Sequence, residues 1–286
     1  MFSRRKKKKN KKKNNLPGCK NKKVKVKRHA SKHAIDWVNY NRKQFSRVFP
    51  KGSRIDSSNC KSKKKNVVII SKIEKKKKDN PITSWNLGCQ MVALNYQTSS
   101  EMMWMNYGKF RDNGACGYIL KPSFMLQNNT VWNPTLEDIP PVPTSTVKKV
   151  EIEIISARQL PKPGQTTKGN VIDPFVTVSI WGVPCDTRTF RTATVKDDGF
   201  APNWKETFVA PLVCSELALI VFSVDDEEPL KTNHIGHYAC PIEALRSGYR
   251  SIHLYDDNNV KIPMANLIVH ITLHSASRTL SMSKET

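Results

Sequence analysis

The stretch LALIVFSVDDEE, residues 217–228, places an apolar run directly before four acidic side chains. This run is rich in β-branched and aromatic residues and ends at polar ones, so it predicts a buried β-strand over residues 217–224. Seven further short strands are predicted around it: 147–155, 175–181, 187–195, 206–211, 237–241, 249–254 and 267–273. Many short strands without helices between them predict an antiparallel β-sandwich of roughly 130 residues.

The chain upstream of the sandwich has a mixed pattern. Residues 126–146 contain four prolines between positions 134 and 143, which predicts a linker. Before the linker, the pattern predicts a helix and an extended segment after residue 35, a strand at 89–96, a helix at 101–110 and a short strand at 118–120.

The net charge of +24 belongs to one end of the chain. Residues 1–79 hold 30 Lys+Arg and 4 Asp+Glu, whereas residues 80–286 hold 18 and 20. Attachment to an anionic membrane and solvated disorder without function both remain open for the lysine-rich runs. No nucleic acid is expected as a partner, because residues 4–32 contain no aromatic side chain to stack on bases.

Several protein classes are excluded by the sequence. No apolar run approaches the 18 to 20 or so residues that span a bilayer, and no apolar stretch follows the basic N-terminus as in a secretory signal. The seven cysteines are scattered without a CxxC pair, which disfavours a disulfide scaffold or a zinc site and suits a reducing compartment. The motifs GxSxG and HExxH and a phosphate-binding loop are absent.

Acidic residues lie at the ends of three of the predicted strands or turns. They are Asp173, the pair at 197–198 and the four at 225–228. Loops at one end of a sandwich converge, so these carboxylates would repel one another unless a cation lay among them. Calcium suits such a place because it takes six to eight oxygen ligands in flexible geometry. The alternative is that the acidic loops are simply solvated.

Longer motifs resemble a known family. The stretches are SRVFPKG (46–52), RIDSSN (54–59), WNLGCQMVALNYQT (85–98), CGY (116–118) and LKP (120–122). They resemble the second (Y) half of the catalytic barrel of eukaryotic phosphoinositide-specific phospholipase C, delta-like members above all. The sandwich resembles the C2 domain that follows this barrel.

The resemblance implies an α+β multidomain fold, with half of a TIM-like (β/α) barrel followed by an eight-stranded antiparallel β-sandwich. The expected segments are a Lys/Asn-rich tail (1–34), the Y half (35–125) with a lysine-rich insert (60–79), a Pro-rich linker (126–146), the C2 domain (147–276) and a tail (277–286). The insert stands where the family has one tyrosine. Residues 60–62 are what the donor end of an intron would encode if it were translated. Asp79 is what the codon at the acceptor end of that intron would encode. An in-frame intron and a membrane-binding loop are therefore both open.

The family's reaction is hydrolysis of phosphatidylinositol 4,5-bisphosphate to inositol trisphosphate and diacylglycerol, with calcium as cofactor. Its catalytic histidine pair lies in the first (X) half of the barrel, which the 286 residues do not contain. We therefore expect no catalytic residue here, no activity of the chain alone, and a requirement for an X half as partner. Arg47 matches a residue that contacts the substrate headgroup, and Phe49 stands where the family has tyrosine.

The resemblance also assigns calcium ligands in the C2 domain. Asp173, Asp226 and Glu228 match acidic ligands, Val171 matches a carbonyl ligand, and Asp197 matches a position that is Asn in the delta form. The implied consequence is calcium-assisted docking on anionic phospholipid, by a cytoplasmic protein at the membrane periphery. The alternative function is a non-enzymatic, calcium-dependent phospholipid-binding C2 module.

Overall fold

The computed structural model describes residues 33–48, 81–97, 99–128, 130, 132–137, 147–163 and 170–275. The helices are α1 (Ala34–Lys43), α2 (Pro81–Asn86), α3 (Glu101–Lys109) and α4 (Ser123–Leu126). The first two strands are β1 (Arg47–Val48) and β2 (Met91–Val92). The others are β3 (Val147–Arg158), β4 (Pro174–Trp181), β5 (Arg188–Arg191), β6 (Asn203–Pro211), β7 (Leu219–Glu227), β8 (Thr232–Pro241), β9 (Gly248–Tyr255) and β10 (Lys261–Ser275).

Strands β3 to β10 form the predicted eight-stranded antiparallel sandwich. Their order is β5-β4-β7-β8-β9-β10-β3-β6, so the sheet is continuous around the molecule. Strands β8 and β9 pair at a single position, His237 with Tyr255. This weak pairing divides the sheet into the two layers of the sandwich. Both halves bury their inward side chains in one apolar core, which confirms the sandwich expected from the strand pattern.

Strand β7 is buried on both of its faces, which explains why residues 217–224 are almost continuously apolar. Ile220, Phe222 and Val224 point into the sandwich core. Leu219 and Val221 point the other way, into a second cluster that contains side chains of α3. A strand with one solvated face would alternate apolar and polar residues instead.

Helix α3 provides the cover for that outer face. The ring of Trp104 stacks on His234 and His237 of β8, with centroids 4.3 and 4.2 Å away. Gly108 lies directly against Ala239, where a side chain would not fit. At the start of the helix, the Trp181 indole donates a 2.8 Å hydrogen bond to Glu101. The segment before the sandwich is therefore packed on it through stacking, apolar contact and hydrogen bonding.

The barrel-like segment contains less strand than expected. Strands β1 and β2 pair in parallel, Arg47 with Met91. Of the strand predicted at 89–96 only Met91–Val92 forms, and 118–120 lies in no strand. A strand needs neighbours to satisfy its backbone, and within the described residues this sheet has only two members. In the predicted linker, Trp132 is buried against Phe124.

Residues 1–32 of the predicted tail, the insert 60–79 and Phe49 lie outside the described residues, whereas Ala34, assigned to the tail, is the first residue of α1. In the part of the chain that is described, no helix is both long and apolar enough to cross a membrane.

The contact of α3 with β8 gives a first prediction. In Gly108→Ala the new methyl group would lie 2.6 Å from Ala239 Cβ and 2.7 Å from its carbonyl carbon. We expect the free energy of unfolding to fall by about 1–3 kcal/mol, although alanine is the better helix former. Urea unfolding measures the change. Gly182→Ala is the control, because its nearest neighbour lies 3.4 Å away; equal behaviour of the two variants would contradict the close packing.

A second prediction concerns pH. Burial, with the nearby His234 and Arg111 adding, lowers the pKa of His237 to about 2. The unfolded chain binds a proton at this histidine below about pH 6.5, whereas the folded chain does not. The free energy of unfolding should therefore fall by about 1 kcal/mol per pH unit as pH drops from 6 to 4.

Unfolding of His237→Phe across that pH range tests this linkage, because phenylalanine keeps a ring against Trp104 and binds no proton. The slope of stability against pH should flatten in this variant and persist in His253→Gln, an exposed histidine on β9. An unchanged slope in His237→Phe would show that His237 is not the group responsible.

Candidate functional site

Three loops meet at one end of the sandwich, and backbone-to-carboxylate hydrogen bonds hold them together. The N–H of Asp173 donates to Asp226 Oδ1 at 2.8 Å, and the N–H of Asp197 donates to Asp173 Oδ1 at 2.8 Å. The N–H of Glu227 donates to the carbonyl of Asp173 at 3.0 Å. Asp226 is almost completely buried, and its carboxylate joins the end of β7 to the first loop inside the protein. We call residues 171–173, 196–200 and 225–231 the loop end.

The middle loop of this set is shaped by its own short polar residues. Asp197 has a φ of 53°, in the left-handed region that Asp tolerates better than most residues. Asp198 then accepts the N–H groups of Phe200 and Ala201 at 3.0 and 2.8 Å. A Cβ at Gly199 would lie 2.8 Å from Ile172, so glycine allows this loop to lie close to the first one.

A lysine ammonium neutralises the carboxylate at the centre of the loop end. Lys196 Nζ lies 2.8 Å from Asp173 Oδ2, while Asp173 Oδ1 accepts the backbone bond from Asp197. The hydrogen bond from Lys196 and then that from Asp197 lower the pKa of Asp173, and Asp173 raises the pKa of Lys196. Both oxygens of Asp173 therefore have cationic or N–H donors from the chain itself.

The acidic residues of the third loop have their own donors. Glu227 binds Arg191 at 2.7 Å and also accepts the hydroxyl of Thr194. Thr194 and then Arg191 lower the pKa of Glu227. Glu228 accepts a 2.7 Å hydrogen bond from Asn233. It also lies 3.7 Å from Lys231 Nζ.

The oxygen chemistry of these loops suits calcium, but their arrangement here does not form a ready calcium site. Asp173 and Asp226 are adjacent, as the sequence predicted. Glu228 instead faces Asn233 and Lys231, and Lys196 lies where a cation would contact Asp173. Among the described residues, no three His, Cys, Asp or Glu side chains are grouped so that they could hold a metal ion. Val171 lies at the rim, two residues before Asp173.

Each of the three loops also exposes one large apolar side chain. Val171 is 54% exposed, Phe200 71% and Leu230 99%. Phe200 follows the turn made by Asp198, and Leu230 lies between Glu228 and Lys231. The loops that carry these three apolar side chains also carry Lys196 and Lys231.

The predicted substrate residue Arg47 lies elsewhere, on β1. That strand is held by Gln90, whose side chain accepts the N–H of Ser46 at 2.9 Å and donates to the carbonyl of Asn41 at 2.7 Å. Lys121 donates to the same carbonyl at 2.7 Å. Arg47 is exposed at its place beside Met91. Phe49 lies outside the described residues, so its position relative to Arg47 stays a prediction.

Comparison with known proteins assigns both segments. The family model described as phosphatidylinositol-specific phospholipase C, Y domain, matches residues 75–124, and that of the C2 domain matches residues 148–256. The delta-4 form of 1-phosphatidylinositol 4,5-bisphosphate phosphodiesterase from Xenopus laevis is 40% identical over 248 residues. The chain belongs to the phosphoinositide-specific phospholipase C family.

Other members share the same region. Inactive phospholipase C-like protein 2 of Mus musculus is 37% identical over 256 residues. The crystal structure of L. pealei PLC21 matches with a TM-score of 0.70 and 32% identity, over 87% of this chain and 28% of that one. The delta-4 match covers 85% of this chain and the inactive-protein match covers 89%. The chain spans only 29% and 21% of the length of those two relatives.

Two of the described histidines, His234 and His237, lie together beneath helix α3. His234 lies 2.9 Å from Asp225 and 3.4 Å from His237, which resembles a proton relay. However, Trp104 stacks on both rings and His237 is 1% exposed. The group is part of the packing between α3 and the C2 sheet. Sequence reasoning missed it, although the HxxH spacing on a strand of the C2 domain was a signal.

Proposed function

We propose that this chain is the lipid-docking C-terminal part of a phosphoinositide phospholipase C, with a Y half at about 35–125 and a C2 domain at about 147–276. The observation that carries the proposal is the loop end, where Val171, Phe200 and Leu230 are exposed on the loops that also carry Lys196 and Lys231. A phospholipid surface offers both of the environments that such a patch needs, anionic headgroups and an apolar interior.

The physical chemistry of the loop end supports that partner. Burying one large apolar side chain contributes about 1.5–3 kcal/mol, and a lysine near an anionic surface contributes about 1 kcal/mol. Insertion of the two most exposed side chains, Phe200 and Leu230, would therefore support reversible attachment to a phospholipid surface. This attachment would place the protein at the membrane periphery on the cytoplasmic side.

The reaction of the whole enzyme is proposed to be hydrolysis of phosphatidylinositol 4,5-bisphosphate to inositol trisphosphate and diacylglycerol. In this proposal Arg47 and Phe49 lie at the substrate headgroup, and an X half supplies the catalytic histidines. Parallel strands β1 and β2 form a two-stranded sheet within the described residues, which supports the need for further strands to complete a barrel.

Calcium is the proposed cation of the C2 loop end. Its ligands would be the carbonyl of Val171 and the carboxylates of Asp173, Asp197, Asp226 and Glu228. The hard oxygen donors support this assignment. Because Lys196 and Lys231 now contact two of these carboxylates, the ligands would have to exchange partners before they held the ion.

A non-enzymatic lipid-binding C2 module is the second candidate function. It is favoured by the relative named inactive phospholipase C-like protein 2, which is as similar to this chain as the relatives named as phosphodiesterases. Similarity in this C-terminal part therefore does not separate an active enzyme from an inactive one.

The loop-end proposal predicts that Phe200→Ala and Leu230→Ala each weaken binding of the full chain to phosphatidylserine-containing vesicles by about ten-fold. Co-sedimentation in about 0.5 M salt measures this, because salt screens the lysine-rich residues 1–79 and leaves apolar insertion in place.

Tyr249→Ala is the matched control for this experiment. Tyr249 is 74% exposed but lies at the start of β9, in a tilted ring contact with His270 of β10. It should bind vesicles like the wild type. If salt abolishes all binding of the wild-type chain, the lysine runs account for attachment and the loop-end proposal is wrong.

The catalytic part of the proposal predicts no hydrolysis by the chain alone. The purified chain should release no inositol trisphosphate from phosphatidylinositol 4,5-bisphosphate vesicles, with or without calcium. Co-expression with the X half of the Xenopus delta-4 relative should restore activity, and Arg47→Ala should lower the restored rate. Activity of the chain by itself would contradict the requirement for an X half, and failure of the X half to restore activity would favour the non-enzymatic module.

A further inference from the structure

We propose that Lys196 is a built-in counter-ion for the loop end: its ammonium takes the place of calcium at Asp173, so the loops dock on lipid without calcium, and calcium binds only by displacing the lysine. This inference rests on the proposed lipid-docking function and adds its regulation. Three observations carry it, namely the geometry at Asp173, the pairing of the other carboxylates and the bonds that close the loops.

The geometry at Asp173 leaves no oxygen without a donor. Oδ2 lies 2.8 Å from Lys196 Nζ, and Oδ1 accepts the N–H of Asp197 at 2.8 Å. The two donors are adjacent in the chain, so the backbone bond from Asp197 holds Lys196 in position to reach the second oxygen. A calcium ion bound at 2.3–2.6 Å to the same carboxylate would lie next to the ammonium and be repelled by it.

Two neighbouring carboxylates, those of Glu227 and Glu228, are paired in the same way. Arg191 and Thr194 bind Glu227, and Asn233 and Lys231 contact Glu228. The third loop therefore has internal cations and hydrogen-bond donors for its negative charge. A carboxylate paired in this manner has less to gain from a divalent cation, because the displaced partner must be resolvated.

The loops also close without a metal. Asp173 is joined to Asp226 and Asp197 by N–H···O bonds of 2.8 Å, and Glu227 is joined to the carbonyl of Asp173 at 3.0 Å. These bonds already hold the bases of the three loops that carry Phe200 and Leu230. The apolar tips are therefore positioned for lipid before any ion binds.

The side chain of Lys196 remains accessible while it makes this contact. It is 65% exposed, whereas the side chain of Asp173 is 22% exposed. The ammonium can therefore leave Asp173 for solvent or for a lipid phosphate when calcium enters. This combination of a partly covered carboxylate and an exposed cation is suited to exchange.

Calcium titration of the full chain by calorimetry, with calcium alone as the probe, tests the proposal. Lys196→Gln should bind calcium about three- to ten-fold more tightly than the wild type, as expected for loss of one ion pair and one like charge. Lys196→Arg keeps the cation and should bind like the wild type. Lys149→Gln is the matched control, because Lys149 lies 3.8 Å from Glu151 on β3, in an ion pair away from the loop end.

The second measurement is vesicle co-sedimentation at high salt, in chelator and in calcium. The wild-type chain should bind equally in both, whereas Lys196→Gln should bind less in chelator and recover when calcium is added. Equal calcium affinities of the wild type and Lys196→Gln, or wild-type binding that requires calcium, would overturn the proposal. If no variant binds vesicles, the docking function fails, while the titration still decides whether Lys196 opposes calcium.

Discussion

The double burial of strand β7 is the constraint on which the rest of this structure depends. Its inward side chains, among them Phe222, complete the sandwich core, and Leu219 and Val221 on the other face pack against α3. Removing either cover would expose an apolar face in water. The barrel-derived segment and the C2 sandwich are therefore packed against each other. Asp225, Asp226 and Glu227 form the last three residues of this strand.

Asp226, near the end of β7, connects this strand to the loop end through a hydrogen bond. Its buried carboxylate accepts the N–H of Asp173, which brings the first loop to the end of β7, and Asp173 in turn receives the N–H of Asp197. The loops are thus fixed at their bases, while the apolar side chains at their tips stay in solvent. A fixed base with exposed apolar tips is suited to insertion into a lipid surface, because little conformational entropy remains to be lost on docking.

Charge at this end is balanced within the chain. Lysine and arginine side chains contact Asp173, Glu227 and Glu228, so part of the negative charge of this acidic motif is balanced once the chain is folded. The types of these residues suit a calcium site, because they supply oxygen donors. In the folded chain, however, three of these carboxylates form ion pairs. Two of these ion pairs depend on Lys196 and Lys231.

The sequence by itself determined the eight strands of the sandwich and the convergence of its acidic loops at one end, and its longer motifs supplied the resemblance to the Y segment and the C2 domain. The strands could be predicted because strand alternation and turn residues are local signals, and the convergence could be predicted because loops at one end of a sandwich meet. Only the tertiary structure decided that α3 covers β7, that His234 and His237 are packed under Trp104, that residues 118–120 form no strand and that Lys196 neutralises Asp173. These features join residues far apart in the chain, and long side chains choose among partners only after the backbone has brought those partners together.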